Sequence, residues 1–210
     1  MAARGLPQIP TLTELYQQAV LSAPSSAAVY PASSSINDNV GLIRGDITRL
    51  RLDAIVNAAN SSLLGGGGVD GAIHRAAGRQ LKAECATLGG CPTGEARITK
   101  GYDLLAKRVI HTVGPQYYHD EDPTALLRSC YQNSLELAVR EGVRSVAFSA
   151  ISTGVYGFPS LAAAKVACDT VRQFLDGSDG HKLMRVVFVT FEQKDVDSYD
   201  AMIPKYFPPN

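Results

Sequence analysis

Residues able to do chemistry gather around a run of four glycines, residues 65–68, with Asn60 before the run and Asp70 and His74 after it. Glycine adopts positive φ freely and carries no side chain that would keep a ligand at a distance. A glycine loop that leads into a helix also points unpaired N–H groups and the positive helix end at one spot, which favours a phosphate. The stretch therefore predicts a cradle for a phosphate-bearing ligand, with an amide and a carboxylate at its edges.

Each of these polar residues also has a purely structural interpretation. Aspartate is a favoured N-cap residue, so Asp70 could cap the predicted helix. Asn60 could tie a turn with its side-chain amide, although the glycines around it favour ligand binding. His74 lies one turn into the helix on the side of Asp70, where it could orient the carboxylate or be a half-buried histidine with satisfied hydrogen bonds. The residues alone leave these alternatives open.

A second loop, residues 151–159, follows a predicted strand and precedes a predicted helix. Ser152 and Thr153 offer hydroxyl groups, Gly154 and Gly157 give the backbone freedom, and Tyr156 could lie flat against a sugar. The loop is either another phosphate cradle or an ordinary strand-to-helix turn. Two cradles on one sheet edge would suit a diphosphate better than a single phosphate.

The apolar pattern predicts strands that alternate with helices. The predicted strands cover residues 40–44, 53–56, 95–99, 108–113, 143–150 and 184–191. The predicted helices cover residues 11–21, 70–85, 124–140, 160–175 and 195–206. This alternation implies parallel crossovers and an α/β fold built as a three-layer α/β/α sandwich, with ligands bound beyond the carboxyl ends of the strands.

The first part of the chain differs in composition from the rest. A short amphipathic helix, capped by Thr11 or Thr13 with Glu14 in its first turn, is followed by a segment rich in Ala, Ser and Pro over residues 23–39. We therefore expect residues 1–39 to form an N-terminal helix and linker, and residues 40–210 to form the folded domain.

Composition narrows the function classes. Twenty basic residues balance twenty acidic ones, so whole-chain charge gives no support for binding to nucleic acid or to a membrane surface. The four cysteines include no CxxC pair, which favours free buried thiols and no metal site. We see neither a signal peptide nor a membrane span, and expect a monomer in the cytoplasm, the nucleus or both.

Some motifs point elsewhere. Gly66, Gly68 and Gly71 match G-x-G-x-x-G, the fingerprint of a fold that binds NAD. The fingerprint should follow its strand immediately, and no acidic ribose ligand stands at the expected distance, so an NAD-dependent oxidoreductase ranks last. His111, His119 and His181 have no partners in spacing and are interpreted as bystanders.

Taken together, the motifs resemble the macrodomain family, and specifically its MacroD-type branch. The matching segments are GDIT (45–48), DAIVNAAN (53–60), GGGGVDGAIHRAAG (65–78), TGEARIT (93–99), VIHTVGP (109–115) and ISTGVYGFP (151–159). They are collinear, and their combination is specific where a single segment would not be. The resemblance implies a macrodomain-like sandwich with a mixed, mostly parallel central sheet.

The resemblance also implies a ligand and a reaction. Macrodomains bind ADP-ribose, and the MacroD-type branch hydrolyses mono-ADP-ribosyl esters on Asp or Glu side chains and deacetylates O-acetyl-ADP-ribose. The implied partners are ADP-ribose, O-acetyl-ADP-ribose and mono-ADP-ribosylated proteins, with ADP-ribosylated nucleic-acid ends as a further candidate. No cofactor and no metal are implied. The alternative from another class is a non-catalytic reader of ADP-ribose, which would need the cradle but not Asn60 and Asp70.

Carried over by motif, the family's binding residues fall on both loops and on the end of the first strand. Asp46 would take the adenine amino group with Ile47 beside it, Asn60 would hold the distal ribose, and Asp70 would sit at the reacting centre with His74 as a further catalytic candidate. The ligand would also be lined by Gly67, Gly68, Val69, Ser152, Thr153, Gly154, Val155 and Tyr156. By its position at the end of the last predicted strand, Phe191 is the candidate for stacking on adenine.

Overall fold

The strands and helices follow the predicted alternation in a computed structural model that describes residues 3–210. The strands are β1 (Arg4–Gly5), β2 (Val40–Arg44), β3 (Leu50–Arg51), β4 (Ala54–Ala59), β5 (Ala96–Lys100), β6 (Arg108–Val113), β7 (Ser145–Phe148) and β8 (Arg185–Thr190). The helices are α1 (Leu12–Gln17), α2 (Ser34–Asn39), α3 (Gly68–Ala77), α4 (Arg79–Thr87), α5 (Pro123–Arg140), α6 (Ser160–Asp176) and α7 (Gln193–Tyr206).

Six strands form the main sheet in the order β2-β8-β7-β4-β6-β5. Every neighbouring pair is parallel except β5 with β6, so the sheet is mixed and mostly parallel as expected. Because β4 and β7 are parallel neighbours, the loops that follow them open on the same edge. The two predicted cradles are therefore brought side by side.

Helices cover both faces of this sheet, which confirms the three-layer α/β/α sandwich. Alternate strand residues point to opposite faces, and successive apolar residues accordingly divide between two cores. Ile55 packs with α3 and α4, whereas its neighbour Val56 packs with the core that contains α5, α6 and α7. Among residues 3–210, no helix is both long and apolar enough to cross a membrane.

The single helix predicted over residues 70–85 is wrong, because it is two helices. Gly78 separates α3 from α4 and has φ +79°, outside the helical region. A Cβ at Gly78 would lie 2.6 Å from a carboxylate oxygen of Asp103, so a larger residue would displace that side chain in addition to straining the backbone. The apolar stripe continues across the break because Ile73 and Leu81 pack in the same core, which hides the break from the sequence pattern.

The N-terminal segment is attached to the body of the fold. Helix α1 starts at the predicted cap, where the Thr11 hydroxyl accepts from the N–H of Glu14 at 3.1 Å, but it ends at Gln17 rather than at residue 21. Within the predicted linker, residues 34–39 form α2. Hydrogen bonds also attach the predicted linker to the domain. Asn37 donates to the carbonyl of Pro208, and Arg172 donates to the carbonyl of Pro31. A domain boundary at residue 40 stays a prediction.

Candidate functional site

Asp70 lies at the start of α3, directly behind the glycine loop. The N-cap of this helix is Gly67, and the Asp70 side chain makes no capping bond, so the interpretation of Asp70 as a helix cap is wrong. Its Oδ1 instead accepts a hydrogen bond from Nδ2 of Asn57 at 2.7 Å. Residue Asp70 is only 4% exposed. This first-turn carboxylate thus does not cap the helix and is fixed in a buried position by the Asn57 amide.

Asn57 and His111 form the support behind this carboxylate. They stand opposite each other in the register of β4 and β6, and Nδ2 of Asn57 lies 3.1 Å from Nδ1 of His111. On its other side, Nε2 of His111 lies 2.9 Å from the hydroxyl of Thr99 in β5. His111 therefore has partners that its spacing in the sequence did not indicate, and its interpretation as a residue without a catalytic role stays a prediction. The available signal was an amide and an imidazole within otherwise apolar, buried strands.

Burial controls the charges here. Desolvation raises the pKa of Asp70, while the hydrogen bond from Asn57 and the charge of His74 lower it in part. Burial likewise lowers the pKa of His111 to about 3, with the charge of His74 as the smaller cause. His111 is therefore neutral at physiological pH. The pKa of Asp70 lies closer to physiological pH than that of an exposed aspartate does.

His74 lies beside Asp70, on the same side of α3. Its Nε2 is 3.5 Å from Oδ1 of Asp70, which is an ion-pair distance when the imidazole is protonated. A Cβ built on Gly65 would lie 3.3 Å from the His74 ring, so the ring packs against the glycine loop. This position suits a residue that orients the carboxylate, and the catalytic role of His74 stays a prediction.

The glycine loop brings Asn60 to the same place. Nδ2 of Asn60 donates to the carbonyl of Gly65 at 3.0 Å, and its Oδ1 accepts from the N–H and the hydroxyl of Ser62. Asn60 therefore does tie a turn, and its contact with a ribose stays a prediction. A Cβ at Gly66 would lie 3.1 Å from Oδ2 of Asp70 and 3.2 Å from Nδ2 of Asn60. A larger residue at this point would have to push both side chains aside by a few tenths of an ångström.

The remaining predicted residues of this loop form its open side. A Cβ at Gly67 or Gly68 would meet no atom within 4 Å, and Gly68 has φ +57°. Val69 is half-buried and packs on the core with α3 and α4. The backbone of this segment is thus free to face a ligand, as a cradle requires.

The second loop reaches the same centre from β7. Ser152 has φ +65°, and the side chains of Ser152 and Thr153 turn inward, whereas Gly154 and Val155 are exposed. Burial raises the pKa of the half-buried Tyr156, and the charge of Asp70 adds to the rise. The two loops therefore lie on the same edge of the sheet, because they follow the neighbouring parallel strands β4 and β7.

The predicted adenine end lies at the ends of β2 and β8, which are parallel neighbours. Asp46 uses Oδ1 to accept from the N–H and hydroxyl of Thr48, Ile47 is buried, and Phe191 is 66% exposed. A small cavity here is lined by Arg4, Ile43, Gly45, Asp46, Arg49, Leu50 and Val189. The sequence did not indicate Arg4, because a two-residue strand such as β1 leaves no periodic pattern.

A family model described as Macro domain matches residues 56–167 of the chain. The chain belongs to the macrodomain family. It is 47% identical to the ADP-ribose glycohydrolase MACROD2 of Xenopus laevis over 97% of this chain and 49% of that protein. It is 51% identical to the ADP-ribose glycohydrolase MACROD1 of Bos taurus over 85% of this chain and 55% of that protein. This macrodomain thus spans about half the length of these relatives.

Solved macrodomains share the fold. The macrodomain of Trypanosoma brucei in complex with ADP-ribose has a TM-score of 0.78 and 42% identity, covering 95% of this chain and 76% of that one. The resemblance drawn from the sequence motifs is therefore confirmed at the level of the family. The roles of single residues in this macrodomain stay predictions.

Three side chains of this macrodomain have donor atoms within 4.8 Å of one another, namely His74, Cys85 and His111. Burial raises the pKa of the Cys85 thiol to about 11, which disfavours the thiolate that a metal would need. Nε2 of His111 already faces the Thr99 hydroxyl. The arrangement suits a packed polar core better than a metal centre, and the absence of a metal requirement stays a prediction.

Proposed function

We propose that this macrodomain binds ADP-ribose between its two loops and hydrolyses mono-ADP-ribosyl esters on Asp or Glu side chains. O-acetyl-ADP-ribose is a second substrate on the same chemistry, because it also presents an ester on the ribose. The names of the relatives, ADP-ribose glycohydrolases, and the ADP-ribose complex of the Trypanosoma brucei macrodomain support this proposal.

The observation that carries the proposal is that the two carboxylate oxygens of Asp70 have different surroundings. Oδ1 is held by Asn57 at 2.7 Å, whereas Oδ2 is buried and has no hydrogen-bond partner among residues 3–210. Oδ2 faces the glycine loop, beside the position of a Gly66 Cβ. A carboxylate oxygen held in this way can take a proton from a water that attacks the ribose ester.

The surrounding backbone supplies the matching positive potential. With an ester seated beside Oδ2 of Asp70, the first N–H groups of α3 and those of the glycine loop would stabilise the negative charge that develops as the ester breaks. A reader of ADP-ribose would need the same N–H groups but no buried carboxylate with a free oxygen. The retention of Asp70 in this environment therefore favours a hydrolase over a reader, and costs stability that binding alone would not require.

Release of ADP-ribose from a protein mono-ADP-ribosylated on glutamate tests the proposal. Wild type, Asp70→Ala and Asp122→Ala are compared, since Asp122 is an aspartate that caps α5 and belongs to neither loop. We expect wild type and Asp122→Ala to release ADP-ribose and Asp70→Ala to lose at least about 100-fold in rate. Calorimetry should show that Asp70→Ala still binds ADP-ribose. Binding without release by the wild type would contradict the hydrolase and leave a reader.

A further inference from the structure

A chain of hydrogen bonds runs from Asp70 into the centre of the sheet. It passes from Oδ1 of Asp70 to Nδ2 of Asn57 (2.7 Å), from there to Nδ1 of His111 (3.1 Å), and from Nε2 of His111 to the hydroxyl of Thr99 (2.9 Å). The four residues come from α3, β4, β6 and β5. Asn57, His111 and Thr99 are each 1% exposed or less, so water does not complete this chain.

The chemistry of the four groups decides which atom donates and which accepts in each of these hydrogen bonds. A neutral imidazole has one N–H donor and one acceptor nitrogen. His111 is kept neutral by its burial. Because Nδ2 of Asn57 can only donate, Nδ1 of His111 must accept, and the proton of the ring must be on Nε2. Nε2–H then donates to the Thr99 hydroxyl, which can serve as acceptor.

The orientation of the Asn57 amide is fixed by its two neighbours, Asp70 and His111. Its Oδ1 is buried and has no hydrogen-bond partner among residues 3–210, while both N–H bonds of Nδ2 are used. If the amide turned over, its carbonyl oxygen would face both His111 and Oδ1 of Asp70. Two oxygens at this distance require a proton between them, so the turned amide is compatible only with a protonated Asp70.

We propose that His111 and Thr99 are positioning residues that hold the Asn57 amide with its N–H toward Asp70, and that they thereby keep the carboxylate ionised and ready to accept a proton. The Thr99 hydroxyl accepts from Nε2–H, so the tautomer that the Asn57 amide requires leaves no ring N–H without an acceptor. With Nδ1 of His111 as an acceptor, the amide keeps its N–H toward Asp70, and this N–H favours the ionised carboxylate. Neither His111 nor Thr99 touches the substrate. Their effect on turnover rests on the proposed hydrolase, but their effect on Asp70 does not.

Other titratable groups also face these four residues and limit how far the pKa of Asp70 can change. Asp70 is also faced by His74 from α3, by Cys85 from α4 and by Tyr156 from the loop after β7. The Cys85 sulfur lies 3.7 Å from Nε2 of His111. Without the Thr99 hydroxyl, the ring N–H would have only this weak acceptor. The preference for one tautomer would fall, and the turned amide would become accessible.

Thr99→Val tests the proposal with little change in side-chain shape. Thr99→Ser keeps the hydroxyl, and Thr112→Val is the matched control, because Thr112 is also a buried threonine of the sheet but donates to the carbonyl of Glu95 instead. For each protein, the pH profile of turnover is measured on a glutamate-modified protein. The titration of the Asp70 carboxyl is followed by ¹³C NMR, and the His111 tautomer by ¹⁵N NMR.

We expect the ¹⁵N spectrum of the wild type to show the Nε2–H tautomer. In Thr99→Val, the Asp70 titration and the acid limb of kcat should move upward by about one pH unit, a tenfold loss of rate at the acid end with little change at high pH. Thr99→Ser and Thr112→Val should leave both where they are in the wild type, and KM should not change in any variant.

The proposal is overturned if the wild type shows the Nδ1–H tautomer, or if Thr99→Val titrates like the wild type. Failure of the proposed function would look different. The wild type would then bind ADP-ribose without releasing it from the modified protein, while the two NMR readouts would still decide whether His111 and Thr99 set the charge of Asp70.

Discussion

The two loops of the site are held in place by different means. In the loop after β4, side-chain bonds add to the backbone bonds: Asn60 bonds to Gly65 and Ser62, and Asp70 is fixed by Asn57. In the loop after β7, most bonds join backbone groups, from Phe158 to Ser152 and from Gly157 to Gly154, and Lys194 adds one side-chain bond to Thr153. Here Val155 is fully exposed.

This difference matches the different tasks that we expect of the two loops, since one positions a reacting group and the other covers the ligand. A reacting carboxylate must be held to a fraction of an ångström, and interlocked buried side chains achieve this. A loop that closes over a diphosphate needs only its N–H groups in place, and backbone bonds leave its side chains free to vary. We therefore expect the first loop to be sensitive to substitution and the second to be tolerant.

Gly68→Glu should give the largest effect. The substitution places a negative charge in the first cradle, opposite a diphosphate, at a backbone with φ +57°. We expect ADP-ribose affinity to fall more than about 100-fold in calorimetry. Gly142→Glu is the matched control, because Gly142 also has positive φ with open space around it but lies after α5, so it adds the same strain and charge elsewhere. Equal losses in both variants would show that strain, not the cradle, is responsible.

Gly71→Ala should damage the first loop through packing alone. A Cβ at Gly71 would overlap the carbonyl oxygen of Gly66, which forces α3 away from the loop. We expect a loss of about 1–3 kcal/mol in the free energy of unfolding together with weaker binding. Gly67→Ala meets no atom within 4 Å and should unfold like the wild type. Normal binding by Gly71→Ala in the folded state would contradict the interlocked loop.

Lys194→Gln should loosen the second loop with a smaller effect. Nζ of Lys194 donates to the carbonyl of Thr153 at 2.6 Å, and the lysine also pairs with the exposed Glu192. We expect ADP-ribose affinity to fall about two- to fivefold in calorimetry, with the melting temperature unchanged, because a half-exposed lysine contributes little to stability. Lys165→Gln, on an exposed position of α6, should change neither. A loss as large as that of Gly68→Glu would show that the two loops are equally rigid.

Asp70→Asn should make the protein slightly more stable. Because burial raises the pKa of Asp70, the ionised form is disfavoured in the folded state, and the cost is present in full above that pKa. The variant should therefore melt about 2–4 °C higher than the wild type at neutral pH. The difference should shrink as the pH falls through the folded pKa of Asp70. Calorimetric melting across pH checks this, and an unchanged difference would show that the charge is not the cause.

The sequence predicted most of the sheet and both loops, because strand periodicity and glycine runs are local signals. It placed Asn60, Asp70 and His74 together correctly, since they are neighbours along one loop and helix. It missed the break at Gly78, because the apolar stripe runs on through it. It also missed His111, whose partners Asn57 and Thr99 lie on other strands and are brought together only by strand pairing.

That strand pairing links the assembly of the fold to its chemistry. Asn57 and His111 face each other because β4 and β6 pair in one particular register. A slip of one residue would turn His111 to the opposite face of the sheet. Chains that are compact but misregistered, or still emerging from the ribosome before β6 has docked, would then lack the support behind Asp70. The support behind Asp70 therefore exists only once β4, β6 and β5 have paired in their native registers.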